Sequence, residues 1–193
     1  MLAVATFASV RSARQAARTT ERALLAGLRP VLVPSRFEDP VEKVGFQDDH
    51  WVKVPGGGAI AEATGDAIYF AIALRNAGTG LAVLDRWDFM PADERIGRLP
   101  HGDPETYRRL TRDLYISGGS LGFWQGTIRE TSDPGYAQAR DAIAGRQLIV
   151  VDLLYGDHEG GQRTITRIAL RPHDDSWIAT VARRWNLDRA DPR

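Results

Sequence analysis

The alternation of apolar and polar positions changes character once along the chain, near Pro30. Ahead of it, residues 2–28 are rich in Ala, Leu, Arg, Gln and Glu, all good helix formers. Gly27 and Pro30 supply a stop, so one helix is predicted over 2–28. Beyond Pro30 the pattern is that of strands and turns. "RPVLVP" is a short β-branched run bounded by prolines, and "KVGF" and "WVKV" flank the turn-like "QDDH" as a hairpin. "AIAEA" and "AIYFAIALRN" form a second hairpin about "TGD", and the unbroken apolar run of "AIYFAIAL" suits a buried central strand.

"AGTG" then turns the chain into "LAVLDRWDFM". The polar segment 91–112 reads as a surface excursion with a helical stretch near 104–112 after "GDPE". Two more strands, "DLYIS" and "LGFWQGTIRE", flank "GGS". Residues 133–144 read as a helix, with Asp133 as cap, Pro134 in the first turn and Gly145 as stop. "QLIVVDLLYGD" and "QRTITRIALRP" form a hairpin about "HEGG", and "WIATVARRW" is the last strand. Its alternation sets Ile178, Thr180, Ala182 and Arg184 against Trp177, Ala179, Val181, Arg183 and Trp185.

Roughly nine or ten short strands, joined by hairpin-length turns without a βαβ rhythm, predict a mainly β fold. The expected form is an antiparallel immunoglobulin-like β-sandwich, with a partly open barrel as its competitor. Two units follow: a helix over 1–29 and the sandwich over 30–193, carrying one or two short inserted helices.

Composition changes this picture little. An apolar fraction of 43% and a charged fraction of 26% are those of a globular domain. Charge changes it more. Formal net charge is zero, yet residues 1–29 hold five arginines against Glu21 alone, and residues 30–193 hold 20 basic against 24 acidic groups. An acidic body repels phosphate, so nucleic-acid binding is not expected. The absence of cysteine excludes disulfides and thiolate metal sites. The opening "MLAVATFASV" is shorter than the about 20 residues of a membrane span. Its charges follow the apolar run, so it does not read as a secretory signal.

Candidate chemistry is confined to two loops. Asp157, His158 and Glu159 lie beside Gly160 and Gly161, and Asp48 and Asp49 precede His50. Carboxylate and imidazole groups together suit acid–base work or a divalent ion. The simpler reading is turn chemistry, since Gly and Asp are what a hairpin connection requires. No HExxH, G-x-S-x-G or phosphate-binding loop is present, so no metal and no cofactor is expected. The five tryptophans fall on strands or their ends and read as core.

"IALRNAGTGLAVL", residues 72–84, resembles a strand–turn–strand signature of bacterial immunoglobulin-like sandwich domains. Asn76, Gly78, Gly80 and Ala82 hold its Asn, its two glycines and its small exit residue; Asn76 would bond its own turn and the glycines would admit positive φ. "SVRSARQAARTTERALLAGLRPVLVP", "DLLYGDHEGGQRT" and "RRWNLD" extend the resemblance to a group of bacterial membrane-anchored proteins of uncharacterised activity. That resemblance implies membrane-spanning segments, then a basic helix, then the sandwich, and implies no catalytic residues. The present chain starts where such a segment would be ending.

The expected function is a non-enzymatic binding or scaffolding domain, membrane-associated on the cytoplasmic face. Arg11, Arg14, Arg18 and Arg22 fall close to one helical line and would contact an anionic membrane surface or a neighbouring membrane protein. The alternatives are a soluble cytoplasmic protein, and an enzyme that joins the Asp157–Glu159 and Asp48–His50 loops around a small ligand or metal.

Overall fold

A computed structural model of the protein describes residues 2–91 and 100–189. Helix α1 (Leu2–Gly27) comes first, as the composition of that stretch dictates. Strands β1 (Leu32–Pro34), β2 (Glu42–Gly45), β3 (Trp51–Val54), β4 (Gly58–Thr64), β5 (Ala67–Asn76) and β6 (Ala82–Pro91) follow. After them come β7 (Arg108–Ile116), β8 (Leu121–Ile128), helix α2 (Pro134–Ala144), β9 (Ile149–Gly156), β10 (Thr164–His173) and β11 (Ser176–Asn186). All the described ladders are antiparallel, so the fold is mainly β as expected.

Nine strands share one hydrogen-bonded sheet, and β2 and β3 form a separate hairpin. β5 carries β4 along the first part of one edge, β1 along the last part of that edge, and β8 along the other edge. From β4 the sheet continues through β11, β10, β9 and β6 to β7. β7 and β8, at the two ends of that path, are consecutive in the chain and lie in contact, so the sheet curls upon itself. Arg112 of β7 donates to Gln125 of β8 at 2.7 Å and lies over the Phe123 ring at 5.7 Å.

The inner face of the curl holds the main core: Phe70, Ile72, Leu74, Trp87, Phe89, Trp124, Val151, Leu153, Ile168 and Leu170 among others. α2 contributes Tyr136, Ala139 and Ala142 to that core. Trp87 and Trp124 meet edge to face at 5.2 Å, the geometry that aromatic quadrupoles favour. β5 is buried on both faces, as its unbroken apolar run predicts. Its outer residues Ala67, Tyr69, Ala71 and Ala73 lie beneath Val44, Phe46, Val52 and Val54 of the β2–β3 hairpin.

Three expectations are corrected. The helical stretch near 104–112 is one 3-10 turn, Pro104–Thr106, capped by Asp103, and Arg108 already begins β7. "RRLTRDLYI" alternates along an edge strand, and that pairing with β6 overrides helix propensity. β11 does not keep one alternation: the register with β10 shifts between Arg167 and Ile168, opposite Val181–Arg183. Trp177 and Ala179 therefore join the inner core, whereas Trp185 packs outside with Tyr107, Leu154 and Ile165. Gly78 and Gly80 are absent from the positive-φ glycines. Close approach requires them instead, because a Cβ there would sit 2.2 Å from the Arg29 carbonyl oxygen and 1.7 Å from that of Leu28. The expected helix over 133–144 is present, with Asp133 accepting from the Gly135 amide and Gly145 at its end. Of the polar excursion, residues 92–99 lie outside the described set.

Candidate functional site

α1 is rooted firmly at its C-terminal end. The root is Arg29, 7% exposed, whose guanidinium donates to Thr164 Oγ1 at 3.3 Å and Asn186 Oδ1 at 3.2 Å and pairs with Asp188. Burial would raise the Asp188 pKa, but the Arg29 hydrogen bond and charge outweigh it and hold that carboxyl below its ordinary value. Thr79 donates its hydroxyl to the Gly27 carbonyl at the helix end.

Asn76, wholly buried, secures the same corner. Its Oδ1 accepts from the amides of Val31 and Gly78, both at 3.0 Å. Its Nδ2 donates to the carbonyls of Gly80 at 2.7 Å and Ile116 at 2.9 Å. The turn bonding expected of Asn76 is present, and it reaches two further segments. From Arg11 to Leu28 every described side chain of the helix is exposed, Arg11, Arg14 and Arg18 included. Arg22 lies on the same helix, and its side chain is outside the described set. Among the described residues no helix is long and apolar enough to cross a membrane.

The Asp48–His50 loop is built into the outer face of β5. Asp48 accepts from the Tyr69 hydroxyl at 2.5 Å and from Arg129 at 3.0 Å. The Tyr69 bond first, then Arg129, lowers the Asp48 pKa to about 2, against the opposing effect of burial. The same bond, then burial, raises the Tyr69 hydroxyl. His50 pairs with Glu62 and stacks on Tyr69 at 4.2 Å between ring centroids. Asp49 forms the loop tip at φ 60 and is exposed. Asp48 and His50 are thus paired with Tyr69, Arg129 and Glu62.

The 157–161 loop uses Asp157 as a backbone clamp. Its Oδ1 accepts from the amides of Glu159 at 3.1 Å and Gly161 at 2.8 Å, and its Oδ2 from Gln162 Nε2 at 3.1 Å. Gly160 takes φ 78, as a tight connection demands. His158 and Glu159 are exposed. The loop leaves β9 at Gly156, which pairs with Val83 near the Asn76 end of the sheet, while Asp48 and His50 sit over Tyr69 near the start of β5. The two loops occupy opposite ends and form no joint site. Among the described residues no group of three or more His, Asp or Glu side chains is arranged to hold a metal ion.

No known protein family, curated protein or solved structure matches the chain.

One polar cluster went unread in the sequence. Asp152 of β9 and Arg167 of β10 lie opposite each other on the outer face, both fully buried. Arg167 Nε and Nη2 each donate to the carboxylate at 2.7 Å, and Tyr107 adds its hydroxyl at 3.1 Å. Burial, then the Asp152 charge, pushes the Tyr107 hydroxyl upward. Asp88 pairs with Asp152 in the ladder and is also raised by burial, while Arg108 binds it at 3.2 Å and Asp133 at 2.7 Å. The signal was a charge inside each of two apolar runs, "VVDLL" and "ITRIAL". Such charges must be paired when buried.

Proposed function

We propose that the protein is a non-enzymatic binding or scaffolding domain held at a membrane on its cytoplasmic face, its curled sheet serving as an immunoglobulin-like module. The observation that carries this is α1: a 26-residue helix, roughly 39 Å long, whose described side chains from Arg11 onward pack against nothing. A helix whose described side chains are exposed is a connector or a contact surface along them, not part of the core. Its arginines lie close to one line and would meet an anionic surface or an acidic flank of a membrane protein. The enzyme alternative needs two loops to converge that stand at opposite ends of the sheet.

Each arginine near an anionic leaflet contributes about 1 kcal/mol. Replacing Arg11, Arg14, Arg18 and Arg22 by Gln should weaken binding to phosphatidylglycerol vesicles by roughly three orders of magnitude at low salt. Vesicle co-sedimentation measures this, and binding should fall as salt rises. Equal affinity for neutral and anionic vesicles, or an unchanged quadruple variant, would remove the reading.

A further inference from the structure

The β2–β3 hairpin lies outside β5 and buries only one of its faces. Val44, Val52 and Val54 point inward, so Lys43, Gly45, Trp51 and Lys53 share the face directed away from the molecule. Three features of that face belong together. Trp51 is 67% exposed, whereas Trp87, Trp124, Trp177 and Trp185 are all at 8% or less. Lys43 and Lys53 are the only lysines in the chain, both are exposed, and they stand directly opposite each other in the ladder. Val41 and Phe37, 55% and 72% exposed, lie just upstream.

Each feature costs the isolated hairpin something. Like charges directly opposite in a ladder are destabilising, and neither lysine has an ion-pair partner among the described residues. Trp51 lies across Gly45, where a Cβ would come within 2.8 Å of the indole. Covering a strand glycine accounts for one face of the ring, and the other remains open to solvent. An exposed indole beside two lysines on one face matches the bilayer interface. There the ring sits at headgroup level, and lysine stems run along the apolar boundary with their charges at the phosphates.

We infer that the outward face of this hairpin is a second contact with an anionic bilayer surface, made by Trp51, Lys43 and Lys53. It rests on the membrane reading above but uses residues separate from α1. Only Trp51 is placed to report contact, so the full-length chain carries its own probe. With vesicles of brominated phosphatidylglycerol, tryptophan emission should be quenched, and Trp51→Phe should abolish the quenching. Lys43→Gln with Lys53→Gln should weaken vesicle binding roughly 30-fold while leaving the circular dichroism spectrum unchanged. Brominated phosphatidylcholine vesicles should quench little.

The outcomes separate the two contacts. Vesicle binding without quenching of Trp51 would overturn the hairpin contact and leave α1 standing. Quenching that persists, with affinity unchanged, in the α1 arginine variant would overturn the α1 reading and support the hairpin. Absence of vesicle binding would overturn both. A response of Trp51 to soluble polyglutamate but not to vesicles would overturn the lipid assignment in favour of an acidic protein.

Discussion

At full burial, a carboxylate and a guanidinium stabilise a fold only when their geometry is good and their other hydrogen-bonding positions are occupied. Asp152 and Arg167 meet the first condition with two bonds of 2.7 Å, and Tyr107 helps with the second. Asp152→Ala withdraws that compensation from a buried cation and should cost about 3–5 kcal/mol in urea unfolding. Tyr107→Phe removes one bond and should cost about 1 kcal/mol. Asp48 gives a pH signature of opposite simplicity. Its folded pKa lies below the unfolded value, so its contribution is complete above about pH 4 and disappears as pH falls towards about 2. Asp48→Asn should lower stability above about pH 4, change it little near pH 2, and so flatten the profile between them. At this scale the local roles of Asp157 and Asp49 were legible, because turn chemistry is written in neighbouring residues. Tyr69, Arg129 and Glu62 were not legible as partners of Asp48 and His50, since they arrive from other strands.

Elements were read well where pattern and pairing agree. β5 shows an unbroken apolar run and β9 one interrupted by Asp152, and each is buried on both faces. α2 shows its cap, its proline and its terminal glycine in the sequence. β7 was misread because "PETYRR" carries helix-start residues, and nothing local announces the β6 edge waiting for it. The bulge in β11 was invisible for the same reason: it arises from register with β10, not from composition. The corner held by Asn76 shows how one side chain couples elements. Asn76→Ala leaves two partly buried amides and two buried carbonyls, from three segments, without their partner. It should destabilise the domain by at least about 2 kcal/mol, read as a lowered urea midpoint. Gly80→Ala should be worse than its size suggests, since the Leu28 carbonyl occupies the space a methyl would need.

For the whole molecule, the change of sequence language visible at Pro30 falls between the end of α1 at Gly27 and the start of β1 at Leu32. The mainly β, antiparallel character was visible too. The curl was not, because it depends on which strand follows which in the ladder, and hydrophobic alternation is silent on neighbour order. The division has a direct test. Trypsin should cut first within α1, at Arg11, Arg14 or Arg18, where no tertiary contact opposes local unfolding. The remaining body, which keeps Arg29 and its partners, should retain its near-ultraviolet circular dichroism and a single cooperative melt. Early cleavage at Lys43 or Lys53 with α1 intact would contradict this division.

The latch at Arg29 also sets a schedule for the chain as it is made. Its partners Asn186 and Asp188 are separated from it by 157 and 159 positions, and the Leu32 amide reaches the Tyr155 hydroxyl over 123. Contacts of such sequence separation form late and make folding slow. α1 precedes the body in the chain, whereas the corner that fixes it cannot close until β11 has been synthesised. The end of α1 is therefore clamped to the body only after β11 and Asp188 have been made.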